Sequence, residues 1–273
     1  MNATPHRIVV VLQAPRFSES SFEPVLRIAR RTEARIEGVF VEDTRLLEVA
    51  AHPFACFVHS RSHEPSAMDE RLVRRALRVT SVRARDAFAA RITATSIPWS
   101  FTSRQCAQLS DAFGEATPGD LIVVPLQGDG GNIGRVAELI AAITEHLAVS
   151  LLVLNERGTP RSSILVLFDG DLDDLAAALD LAGNFECRAS ILAIAGNQAK
   201  ADARATKARR FMEQSGRSAA VDTLVYRDRA DLERAVTAAA PGTLVIDRKG
   251  ETAQTLDIAR LLATSQISLY LRN

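Results

Sequence analysis

Cysteine is scarce and odd in number. Cys56, Cys106 and Cys187 are scattered along the 273 residues, which excludes a disulfide framework and fits a reduced, cytoplasmic setting. Net charge is absent: 33 Lys and Arg balance 33 Asp and Glu, so nothing draws the chain towards nucleic acid or an anionic membrane. No apolar run approaches the roughly 20 residues that cross a bilayer, and residues 1–7 lead straight into a strand pattern with no signal peptide. Membrane insertion and nucleic acid are therefore not expected. The sequence also lacks a G-x-S-x-G elbow, an H-E-x-x-H helix and a G-x-x-x-x-G-K-[ST] loop. A triad drawn from scattered Ser, His and Asp would show only in three dimensions. The expectation is a protein that is not an enzyme.

Against these absences stands a regular alternation of short apolar runs and helical patterns. The clearest stretch is residues 121–154. Leu121-Ile122-Val123-Val124 reads as a buried parallel strand. A loop with Gly128, Gly130, Gly131 and Gly134 follows. Val136, Leu139, Ile140, Ile143 and Leu147 then recur at helical spacing, and residues 150–154 form a second buried strand. A glycine loop running from a strand end into a helix favours an anion, through free N–H groups and the helix dipole; equally, such glycines can serve only a tight turn.

Upstream, the pattern predicts strands at residues 7–12, 36–41 and 99–103, with helices at 22–29, 70–93 and 109–116. Residues 42–69 form an irregular insertion, long for a connection. Residues 156–163 read as a linker. The pattern then restarts, with strands at 164–168, 189–195, 221–226, 243–246 and 267–271 and helices at 172–181, 201–214, 231–240 and 253–263. Five strands alternating with four helices in each half predict α/β architecture with helices on both faces of parallel sheets. We expect two tandem units, residues 1–157 and 162–273, each with its own open five-stranded sheet.

Each half resembles a universal stress protein domain. The resemblance rests on Arg7-Ile-Val-Val-Val-Leu-Gln13, Arg27-Ile-Ala-Arg-Arg31, Arg35-Ile-Glu-Gly-Val-Phe-Val-Glu42 and residues 121–154 in the first half, and on Ile164-Leu-Val-Leu-Phe-Asp-Gly170 in the second. It implies the adenine nucleotide alpha hydrolase-like fold with strand order 3-2-1-4-5, a stress-response role, and a tandem chain whose halves pair as family homodimers do. The closing strands would then lie at sheet edges and meet. Further homo-oligomers and an unidentified protein partner are also compatible.

In nucleotide-binding members of that family, an Asp ends the first strand, and a loop reads Gly-x-x-Gly, nine residues, then Gly-Ser. Here the first half has Gln13 for the Asp, and the closing pair falls on Ala141-Ala142 or Thr144-Glu145. By the resemblance, ATP would be held by Gly128, Gly130, Gly131, Asn132 and Gly134, with Gln13 and Val41 on the base or sugar side. The second half keeps Asp169, but its loop, Asp247-Arg248-Lys249-Gly250, has one glycine. Two readings stay open: a regulatory binding protein with weak or lost ATP binding and the insertion as its specific surface, or an ATP-binding protein or slow ATPase using the first-half loop.

Three further groups carry chemistry. Asp169, Asp171, Asp173 and Asp174 suit Mg²⁺, since hard cations prefer carboxylate oxygens, or serve as the acidic start of a helix; the second is favoured. His52, Cys56, His59 and His63 have ligand types suited to Zn²⁺, but Pro53 interrupts them, and no metal is expected. Arg71, Arg74, Arg75, Arg78, Arg83, Arg85 and Arg91 are read as a solvated face whose charges meet nearby Glu and Asp.

Overall fold

The computed structural model describes residues 5–12, 19–58, 65–126, 133–145, 149–156 and 163–272. In the first half, β1 (Arg7–Leu12), β2 (Arg35–Asp43), β5 (Trp99–Cys106), β6 (Asp120–Leu126) and β7 (Ser150–Asn155) run parallel in the order β5-β2-β1-β6-β7. In the second half, β8 (Ser163–Phe168), β9 (Arg188–Ala195), β10 (Ala220–Val225), β11 (Thr243–Asp247) and β12 (Ser268–Arg272) run in the order β10-β9-β8-β11-β12. Both orders are 3-2-1-4-5.

The sheets are not separate. β12 pairs antiparallel with β7, Leu269 opposite Val153 and Leu271 opposite Leu151, so all ten strands form one sheet. The expectation of a separate five-stranded sheet in each half is corrected here: the closing strands meet edge to edge and join the two. An apolar strand at a sheet edge leaves a row of unpaired N–H and C=O groups. Leu151, Leu152, Val153 and Leu154 are all fully buried, which requires that edge to be covered. Hydrophobic periodicity marks such strands but does not say which edge meets which.

Helices cover both faces. α1 (Glu19–Thr32), α3 (Glu70–Ile92), α4 (Ile133–Glu145), α5 (Leu172–Phe185), α6 (Gln198–Ser215) and α7 (Arg229–Ala239) are the long ones. Alternation along β1 sends Ile8, Val10 and Leu12 to one core and Val9 and Val11 to the other, and each core takes residues from both halves. Helices in equivalent positions meet across the seam: α1 packs on α5, and α4 packs on α9 (Ile258–Thr264). Polar ties fix the register there. The Asn155 backbone N–H donates to Ser268 Oγ at 3.0 Å, and Asn155 Nδ2 donates to the Ser265 carbonyl at 3.1 Å. Both Asn155 and Ser268 are buried.

Other local differences have plain causes. The helix predicted at 253–263 is two, α8 (Glu251–Thr255) and α9, because Leu256 is extended and Asp257 caps a new start, accepting from the Arg260 N–H. The helix predicted at 109–116 is a short 3-10 turn, Leu109–Phe113. The insertion is not irregular throughout: it holds α2 (Thr44–Ala50), capped by Asp43, and a hairpin of β3 (Cys56–Val58) and β4 (Pro65–Ala67). Residue 38 must be glycine, since a Cβ there would meet the Phe88 ring at 2.9 Å. That absence lets α3 lie on β2, with Phe88 edge-on to Phe22 and Trp99.

A shared core on each face predicts one cooperative unfolding transition for the whole chain. Leu271→Ala, at a fully buried seam position, is expected to cost about 2–5 kcal/mol while keeping a single transition in denaturant titration. Two separated transitions would show that the halves unfold independently.

Candidate functional site

In an open parallel sheet of this order, ligands bind outside the carboxyl ends of the first and fourth strands, where the connections diverge. The fold makes two such points. In the first half they follow Leu12 of β1 and Leu126 of β6. Of the residues expected there, Gln13, Gly128, Gly130, Gly131 and Asn132 lie outside the described residues. Val41, near the carboxyl end of β2, is buried in a core. Gly134 sits in the first turn of α4, with open space where a side chain would project.

In the second half the point is fully described, and it is acidic. Asp169 follows β8, Asp247 ends β11, and Asp174 lies in the first turn of α5. One carboxylate oxygen from each falls within 4.8 Å of the others. A Cβ on Gly250 would overlap Asp169 Oδ2, so only glycine lets the loop after β11 close onto that carboxylate. The four acids grouped in the sequence are thereby divided. Asp171 caps α5, accepting from the Asp173 N–H at 2.7 Å, as a helix start requires. Asp169 and Asp174 instead face Asp247, which lies 73 to 78 positions away in the sequence numbering and gives no local signal of belonging with them.

The environment holds these acids towards their protonated forms. Asp174 is pushed up to about 7, first by burial and then by the charge of Asp247. Arg272 Nη1 donates to Asp174 Oδ1 and opposes the shift without cancelling it. Asp174 Oδ2 is buried, with no hydrogen-bond partner among the described residues. Asp169 is raised by burial and by Asp247, with Arg204 acting against both. The Lys249 N–H donates to Asp247 Oδ1 at 2.9 Å, and Lys207 Nζ donates to the Gly170 carbonyl at 2.7 Å. Chemically, the three carboxylates can share a proton or offer oxygens to a hard cation.

The His and Cys group is only partly described. His52 and Cys56 are exposed on the turn after α2 and on β3; His59 and His63 lie outside the described residues. On α3, Arg74 pairs with Glu70 at 2.6 Å. No carboxylate partner appears among the described residues for Arg71, Arg75, Arg78, Arg83 or Arg85, so the expected neutralisation of that face is not general.

Fold and strand-end geometry define a doubly wound α/β protein with one switch point in each half. No family model matches the sequence, and no curated protein does. Solved structures do match. A protein from Pseudomonas aeruginosa UCBPP-PA14 assigned to the universal stress proteins aligns at TM-score 0.62 and 14% identity, over 99% of this chain and 94% of that one. A universal stress protein from Archaeoglobus fulgidus aligns at 0.60 and 10% identity, over 99% and 97%. A functionally unknown protein from Pseudomonas aeruginosa PAO1 aligns at 0.62 and 13% identity, over 100% and 94%. The chain has the universal stress protein fold. No helix among the described residues is long and apolar enough to cross a membrane.

The Asp174 shift fixes a pH dependence. A carboxyl whose folded pKa is raised contributes stability below its ordinary pKa of about 4, and this is lost as pH rises through about 7. Melting temperature should therefore fall as pH rises from about 4 to about 7 and level off above that. Asp174→Asn should flatten that slope, and an unchanged slope would show that another group causes it. Asp120, lowered by its Arg7 and Thr117 hydrogen bonds against the opposing effect of burial, titrates below this window.

Proposed function

We propose that this chain is a stress-response regulatory or binding protein of the universal stress protein type, non-enzymatic, with weak or lost ATP binding. Residues 1–157 and 162–273 act as a tandem pair joined into an intrachain pseudo-dimer, working in the cytoplasm. The observation that carries the reading is the carboxylate centre of Asp169, Asp174 and Asp247. It occupies the second-half switch point, where the loop Asp247-Arg248-Lys249-Gly250 offers one glycine in place of the glycine-rich turn that presents N–H groups to a phosphate.

The surface supports a binding role. Nine large apolar side chains are exposed among the described residues, and eight of them fall in one stretch: Leu46, Val49, Phe54, Phe57, Val58, Leu72, Val79 and Val82. That stretch is the insertion together with the outward face of α3. Exposed apolar side chains gathered in one stretch mark an interaction site, and an unidentified protein partner is the natural occupant.

A second reading, ATP held by the first-half loop, is favoured by the open space in front of Gly134. Calorimetry separates the two. We expect ATP binding far weaker than micromolar; a free energy on the order of −8 kcal/mol or stronger would overturn the first reading. Gly134→Val meets no atom of the described residues and should leave the fold intact. Loss of tight binding in that variant would then locate the nucleotide.

A further inference from the structure

A cleft of about 720 Å³ lies where the two halves meet, near the amino ends of β9 and β10. Its volume is in the range of small-molecule sites, roughly 300–1,000 Å³. It lies further along α5 than Asp174 of the carboxylate centre and shares no lining residue with that centre. Three arginines from three segments line it: Arg31 from the last turn of α1, Arg188 at the start of β9, and Arg217 just after α6.

The charges in the cleft do not cancel. Among the described residues, Asp180 is the one carboxylate lining it, and Arg217 Nη2 donates to that group at 2.6 Å. Arg217 Nη1 also donates to the Ala176 carbonyl at 3.1 Å, which fixes the guanidinium in place. Arg31 Nη1 donates to the Gly183 carbonyl at 2.8 Å, a neutral acceptor across the seam. Among the described residues, neither Arg31 nor Arg188 has a carboxylate partner. The cleft therefore presents two uncompensated guanidinium charges, with Ser190 and Ser218 hydroxyls beside them and an apolar wall that includes Leu179 and Ala182. Guanidinium groups with free N–H donors match the oxygens of a phosphate. The apolar wall suits a ligand that carries a carbon body as well.

We infer that this cleft binds a phosphorylated small molecule, its phosphate held by Arg31 and Arg188 and its body against the α5 wall. A ligand held this way touches both halves, because Arg31 belongs to the first and Arg188 to the second. Binding should then stabilise the seam and raise the melting temperature by mass action.

Cys187 lines the cleft and is half-buried, so it can report occupancy. Burial holds its thiol above the ordinary range, which makes its alkylation slow and easily followed. The experiment uses the full chain with the exposed Cys56 replaced by Ser. Inorganic phosphate, pyrophosphate, phenyl phosphate and AMP are titrated at constant ionic strength, with sodium sulfate as a control for charge alone. Calorimetry and the rate of Cys187 alkylation are the two readouts. We expect phenyl phosphate or AMP to bind more tightly than inorganic phosphate and to slow alkylation. Arg188→Ala and Arg31→Ala should each weaken binding by about tenfold or more. Arg188 is exposed, so Arg188→Ala should remain folded even if Arg31→Ala loosens the seam. Arg188→Lys should restore part of the affinity. Equal binding of sulfate and phenyl phosphate, no protection of Cys187, or unchanged affinity in Arg188→Ala would overturn the inference. Gly134→Val distinguishes this site from the first-half loop, since cleft binding should persist in that variant.

Discussion

The antiparallel pairing of β7 with β12 is the contact on which the rest of the molecule depends. Without it, two strands whose side chains are mostly apolar would end their sheets against solvent. With it, each face of the sheet carries one core that runs through both halves. The seam is further held by side chains on both layers. Arg248 Nη1 of the second half donates to the Ile143 carbonyl of the first at 2.8 Å, and Arg27 pairs with Glu186 at 2.6 Å. Asn155 and Ser268 add a register lock, because a slip by one residue would strand their buried polar atoms and turn every leucine of β12 to the wrong face.

The same pairing sets where chemistry can occur. Strands of the two halves run in opposite directions at the seam, so their carboxyl ends open on opposite rims of the sheet. The second-half rim carries Asp169, Asp174 and Asp247, a centre that attracts positive charge. The cleft between the halves carries Arg31, Arg188 and Arg217 and attracts negative charge. A chain with zero net charge thus hides two local fields of opposite sign, which a whole-molecule charge count averages away.

Much of the fold was legible because a buried parallel strand is a short apolar run and a covering helix has a 3.6-residue period. Residues 121–124, 150–154 and 164–168 could hardly be read otherwise. The strand order came through the resemblance, on segments such as Arg35 to Glu42, and not through periodicity. What stayed hidden depends on distance along the chain. Asp247 joins Asp169 and Asp174 only because β11 lies beside β8. Arg31 and Arg188 line one cleft only because α1 crosses onto α5. The break at Leu256 and Asp257 was available locally, as an Asp cap inside an apolar pattern, and the helical period outweighed it. The glycine loop was legible as a motif, but what it holds was not, since glycine supplies backbone freedom and no side-chain chemistry.

The two outer strands carry a consequence of their own. β5 and β10 end the sheet, and both are largely exposed. β5 offers Thr102, Ser103 and Gln105, whose side chains are already bound to Glu37 and Glu42 of β2. A strand arriving from another copy would find polar, engaged groups where β7 and β12 offer leucine and valine. The chain thus places its two apolar closing strands in the middle, paired with each other, and leaves at the β5 end a strand whose polar side chains are engaged within the sheet. Tethering within one chain gives that closure an effective concentration on the order of millimolar for a short linker, well above what separate copies attain. Within one chain the pairing thus gives a single sheet of ten strands.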